Sequence, residues 1–146
     1  MRCILATDHW WQIARWRVGV VEFAFDDITL AARHKLHAST IDIGGEQLQP
    51  RVLSSKRQLN ENANCMGNCT AGYETSIRAG DTLIVALDHT DDVGKRKTKY
   101  NVELRRGSDG GWTQIDEINT RFNAGVDKKA ATEIVHNILA LTSPTT

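Results

Sequence analysis

Two hydrophobic periods run through this chain, and the switch between them marks its elements. From Lys97 to Arg106 apolar positions alternate strictly, with Tyr100, Val102 and Leu104 on one side and Asn101, Glu103 and Arg105 on the other, as a half-buried strand requires. The turn at Arg78-Ala79-Gly80-Asp81 leads into the apolar run Thr82 to His89, so these two segments form a long hairpin. Gly107 to Gly111 turns the chain again into a further strand, Trp112 to Ile118. Past Asn123 to Asp127, which supply capping chemistry, the period changes. Ala131, Ile134, Val135, Ile138 and Leu141 fall on one helical face, Lys129 and Glu133 lie four apart on the outer side, and Ser143-Pro144 ends the helix.

The first half carries weaker signals. Arg2 to Ala6 reads as a short strand, and Thr7 or Asp8 can cap a short helical segment holding Trp10, Trp11, Ala14 and Trp16. Val18 to Phe25 is β-branched and aromatic, the composition of a covered strand. Ile28 to His37 supports two readings. Ile28, Leu30 and Ala32 alternate as in a strand, which is the preferred assignment, whereas Ile28, Ala31, Ala32 and Lys35 or Leu36 behind an aspartate cap suit a helix. Ser39 to Ile43 and Gln47 to Ser54 are predicted to pair across a Gly44-Gly45 turn, with Pro50 placing the second strand at an edge or a bulge. Ser55 to Gly72 has almost no large apolar residue and is predicted to be a loop with a short helical turn near Arg57 to Ala63.

Together these elements predict an α+β fold over 1–146 as a single domain. It is a curved antiparallel sheet or partly open barrel of about seven to nine strands, with a short N-terminal helical segment and a C-terminal helix packed on it. A chain of 146 residues, 40% apolar and 25% charged, is long enough to bury one core without disulfides or metal. Its 18 basic and 18 acidic residues cancel, which removes whole-molecule attraction to nucleic acid or anionic membrane. The apolar run Cys3 to Ala6 is too short for a signal-peptide core or a membrane span, and three cysteines are an odd, sparse set. The expectation is a soluble, cytoplasmic protein.

Several clusters offer chemistry. Cys65 and Cys69 lie four apart with Cys3 and His89 elsewhere, but no second ligand pair completes a zinc site, so inert thiols are the favoured reading and no metal or cofactor is expected. A Cys65–Cys69 disulfide is sterically conceivable. Asp88-His89-Thr90-Asp91-Asp92 gathers carboxylates and an imidazole at a strand end without the spacing of a calcium loop, which favours a solvated turn over an enzyme active site. His34 and His37 share a face only if their segment is helical. The run Lys95-Arg96-Lys97-Thr98-Lys99, with Arg105 and Arg106 opposite, is a basic hairpin suited to a nucleic-acid or protein adaptor, although solubilising charge is the commoner use. Trp10, Trp11 and Trp16 are assigned to an assembly or aromatic contact.

In element order and length the chain resembles the calycin barrels and the helix-grip ligand-binding domains, without the calycin Gly-x-Trp signature, for which Trp16 followed by Gly19 is no substitute. A curved sheet closed by a helix encloses a cavity. The leading expectation is therefore non-catalytic binding of a small, partly apolar or aromatic molecule, lined by Val85, Tyr100, Val102 and Trp112, within a homo-oligomer.

Overall fold

The structure is a computed structural model that describes residues 21–68 and 70–143. The predicted first strand, the helical segment with Trp10, Trp11 and Trp16, Cys3, Cys69 and Pro144 lie outside the described residues. The element order is α1 (Asp27–His37), β1 (Ile41–Ile43), β2 (Glu46–Val52), α2 (Lys56–Met66), a 3-10 turn (Thr70–Tyr73), α3 (Glu74–Arg78), β3 (Thr82–Thr90), β4 (Arg96–Arg105), β5 (Gln114–Asn119) and α4 (Lys128–Thr142). The five strands form one antiparallel meander in sequence order, an α+β arrangement with fewer strands than the seven to nine predicted.

Two corrections account for much of that difference. Ile28 to His37 is helical: the Asp26 side chain accepts from the Thr29 backbone N–H at 2.9 Å, and Thr29, Ala32 and Leu36 are its buried stripe. Val18 to Phe25 is not a strand within its described part, where a lone bridge joins Glu22 to Ser55. The 55–72 segment is also mostly ordered. Ser55 caps α2, Gly67 ends it at φ 61°, and Leu59, Asn62 and Met66 face inward. The Phe122 ring lies over Gly67, leaving no room for a side chain there.

Two register shifts curl the sheet. Opposite Leu87/Asp88, β4 carries the extra residue Lys99, and opposite Glu103/Leu104, β5 carries the extra residue Asp116. Each bulged side chain finds an ion partner, Lys99 with Glu46 and Asp116 with Arg105 at 2.7 Å. β1 pairs only with the first half of β2, so Pro50 sits where the outer edge of β2 has no neighbouring strand. Leu53 donates inward to the Ile84 carbonyl, so the alternate N–H groups point outward; Pro50 lacks one and that of Val52 is taken by His37 Nε2 at 3.0 Å.

Helices cover both faces of the sheet. On one, Ala32 and Leu36 of α1 and Ile134 and Ile138 of α4 close over Leu48, Val52, Leu83, Val85, Leu87, Tyr100, Val102, Leu104 and Trp112. On the other, Leu59 and Ile77 join Phe23, Leu53, Ile84 and Ala86. This second layer buries Asn101 and Glu103, positions that strict alternation assigns to solvent. No helix among the described residues is long and apolar enough to cross a membrane.

Candidate functional site

A cleft of about 200 Å³ opens on the second face, between the sheet and the α2–α3 connection. At roughly 30 Å³ per water it has room for a small metabolite, well below a drug-sized pocket. Sheet register builds its floor. Asn101 pairs with Asn119 and Glu103 with Glu117 across β4 and β5, so two amides and two carboxylates stand side by side on one face, with Ile84 next to Glu103 on β3. Asn68, Thr70 and Tyr73 form the opposite wall.

Placing carboxylates directly opposite on adjacent strands opposes stability. Burial, followed by the charges of Asp116 and Glu117, pushes the Glu103 carboxyl above the usual carboxylate range, while Arg105 and a hydrogen bond from Tyr73 pull the other way. Tyr73 is raised as well, by burial first and then by Glu103 and its acidic neighbours. The lining contains two carboxylates, three amides and two hydroxyls, and no Lys, Arg or His among the described residues.

A buried polar network stiffens the back of the cleft. Asn62 and Asn101 exchange side-chain amide bonds at 3.0 and 2.7 Å, and Asn101 also donates to Thr70 Oγ1 at 3.2 Å. Both Asn68 contacts with Thr70, to its backbone N–H and its hydroxyl, go through Asn68 Oδ1. The Asn101 orientation is thereby fixed from α2, and Glu103 stands two residues further along the same face of β4.

The expected binding residues occupy a different place. Val85, Tyr100, Val102 and Trp112 pack with Ile134 and Ile138 in the first core, where all six are buried, and the cleft is lined by other side chains. The acidic cluster is not brought together. Asp88 is buried, accepts from Thr98 at 2.7 Å and pairs with Arg51 and Arg96; His89 pairs with Glu46 at 3.2 Å; Asp91 caps its own turn through Val93 and Lys95 N–H groups. The basic hairpin is largely matched by acids, with Lys97 on Asp91 and Lys99 on Glu46. Replacing exposed Lys95 by serine is expected to shift stability by less than about 0.5 kcal/mol, whereas Arg96→Ser costs more because buried Asp88 loses one of its guanidinium partners; urea denaturation compares the two.

His34 and His37 lie on a helix after all, with His37 committed to the β2 edge. Cys65 is exposed on α2, and no group of three or more His, Cys, Asp or Glu among the described residues is arranged to hold a metal ion. The cleft residues escape sequence reasoning because Asn101 and Glu103 sit at the polar positions of an alternating strand, and Glu117 and Asn119 come opposite them only through the bulge at Asp116. The one available signal is the asparagine-rich 60–68 segment, whose helix covers them. Comparison with protein-family models, with curated proteins and with solved structures gives no match to this chain.

Proposed function

We propose that this protein binds a small cationic molecule, an amine or guanidine with a compact apolar part, in the cleft between β3–β5 and the α2–α3 connection. The observation that carries this reading is Glu103, 7% exposed, held beside Glu117 in a cleft whose described lining has no cationic side chain. Two neighbouring carboxylates with no basic partner in that lining are stabilised by an incoming cation, which restores the charged form that burial disfavours. Asn101, Asn119, Thr70 and Tyr73 then supply neutral hydrogen-bonding groups that orient the ligand, and Ile84 supplies the apolar contact. Binding rather than catalysis is the reading here, since the hydroxyl that meets Glu103 is that of Tyr73, which burial and its acidic neighbours hold as a neutral phenol rather than a nucleophile.

Glu103→Gln tests it. A carboxyl whose folded value is raised holds its proton more tightly in the native than in the unfolded state. Stability therefore falls as pH rises from the ordinary carboxylate range through the raised value, and the loss persists above it. Removing the charge is expected to raise the melting temperature at neutral pH, with the gain vanishing in acid. The same variant is expected to lose the thermal stabilisation that methylguanidine or small primary amines confer on the wild type. A wild type indifferent to every amine and guanidine in the panel overturns the reading.

A further inference from the structure

The geometry points to a second binding site, for the phosphate group of a small phosphate monoester, at the β2 edge, where Arg51 and Arg96 converge beside His37. A separate cleft of about 200 Å³ is lined there by His37, Gln49, Pro50, Arg51 and Arg96. Its chemistry is the reverse of the first cleft: two guanidinium groups, an imidazole and a side-chain amide, with no carboxylate among the described lining residues.

Asp88 builds the site from beneath. It is 2% exposed; its Oδ2 accepts from Arg51 Nε at 2.9 Å and forms an ion pair with Arg96 at 3.1 Å, while Oδ1 accepts from Thr98 at 2.7 Å. One buried carboxylate thus anchors two arginines from different strands by their inner nitrogens. The Nη groups of both make no other hydrogen bond among the described residues, so each guanidinium keeps its outer donors for a ligand. Two positive charges over one negative leave a net positive charge at the cleft.

His37 adds an imidazole to the lining. Its Nε2 accepts from Val52 N–H, so the neutral ring carries its proton on Nδ1. Partial burial, then Arg33, Arg51 and Arg96, keep this imidazole below its usual value, and Glu22 opposes them only weakly from its own pair with Arg33. A phosphate monoester fits this set better than a carboxylate. It brings up to two charges and three acceptor oxygens in a tetrahedral array, which can engage two guanidinium forks and a third donor together. The described lining holds no Phe, Tyr or Trp, and its one aromatic ring, His37, is tied to the Val52 N–H, which favours a small ester over a single-stranded nucleic acid.

The test follows the side-chain Nε–Hε resonances of Arg51 and Arg96 by NMR while the whole protein is titrated with inorganic phosphate and then with glycerol phosphate at constant ionic strength. Saturable shifts of both resonances are expected, with chloride giving none. Arg51→Lys and Arg96→Lys keep the charge and lose the fork, and each is expected to weaken phosphate binding by about tenfold while the far-ultraviolet dichroism stays unchanged. Should either variant fail to fold, Gln49→Ala and the wild-type titration still decide the matter. Linear, non-saturating shifts, or equal shifts with chloride, overturn the proposal. So does a short single-stranded oligonucleotide that binds more tightly than glycerol phosphate at physiological salt, since that assigns the arginines to a nucleic-acid backbone.

Discussion

Replacing Trp112 by alanine is expected to lower the unfolding free energy by about 3–5 kcal/mol, the largest loss of any single change considered for this protein. Trp112 is 1% exposed and joins three parts of the chain. Its indole N–H donates to Thr29 Oγ1 at 3.0 Å at the start of α1, the Thr142 hydroxyl donates to its carbonyl at 2.7 Å from the end of α4, and Arg106 stacks 4.4 Å from the ring. Arg106 in turn donates to the Gly80 and Gly110 carbonyls and to Asp26, whose other oxygen caps α1. The truncation therefore removes a large buried side chain together with its bond to α1 and its stack on Arg106, while the Thr142 bond to the main-chain carbonyl of residue 112 is kept. Trp112→Phe separates the two contributions: it keeps most of the ring and loses the N–H bond, so a deficit of only about 0.5–1.5 kcal/mol is expected in urea denaturation. A phenylalanine variant as unstable as the alanine variant would show that the Thr29 bond, and not ring volume, dominates.

Truncating Ile138 to alanine is expected to cost about 2–5 kcal/mol, and Ile134 a similar amount, because both are fully buried beneath α4. They sit one turn apart in the same core cluster as Leu36, so the two losses are expected to depart from additivity in the double variant. Val135, on the same helix and only partly covered, serves as the control, with Val135→Ala well below either. Equal losses at all three positions would mean that α4 is held by its whole circumference rather than by one stripe.

The C-terminal helix is legible in the sequence because its stripe is apolar at every third or fourth position and Asp127 caps it, accepting from Ala130 at 3.0 Å. The hairpin of β3 and β4 is legible from its alternation, and the Gly44-Gly45 turn from its need for positive φ, which both glycines adopt. α1 misleads because Ile28 and Leu30, two of the residues that suggest a strand, are exposed on the helix, while the inward stripe is the small, partly polar set Thr29, Ala32 and Leu36. α2 is hidden by a similar cause: one of its three buried positions is Asn62, whose partner Asn101 lies far away in sequence. A periodicity count scores such a position as solvent-facing. The candidate cleft inherits that blindness: Glu103 obeys the outward half of a strand pattern, whereas Glu117 shares the parity of Ile115 and reaches the cleft face only through the bulge at Asp116, and tertiary coverage turns that face into a site.

The end of the sheet at β1 and β2 bears on how copies of this chain could meet. β1 is three residues long, Pro50 offers no donor, and His37 occupies the Val52 N–H, so an incoming strand finds little backbone to pair with on that side. Among the described strands the opposite edge, β5, has a neighbour on one side only. Fibrous growth by strand addition needs two receptive edges on every molecule, one to give and one to take. The described strands leave a single receptive edge, and two copies that join like edge to like edge use it up on both at once, so pairing through these strands alone ends at two molecules.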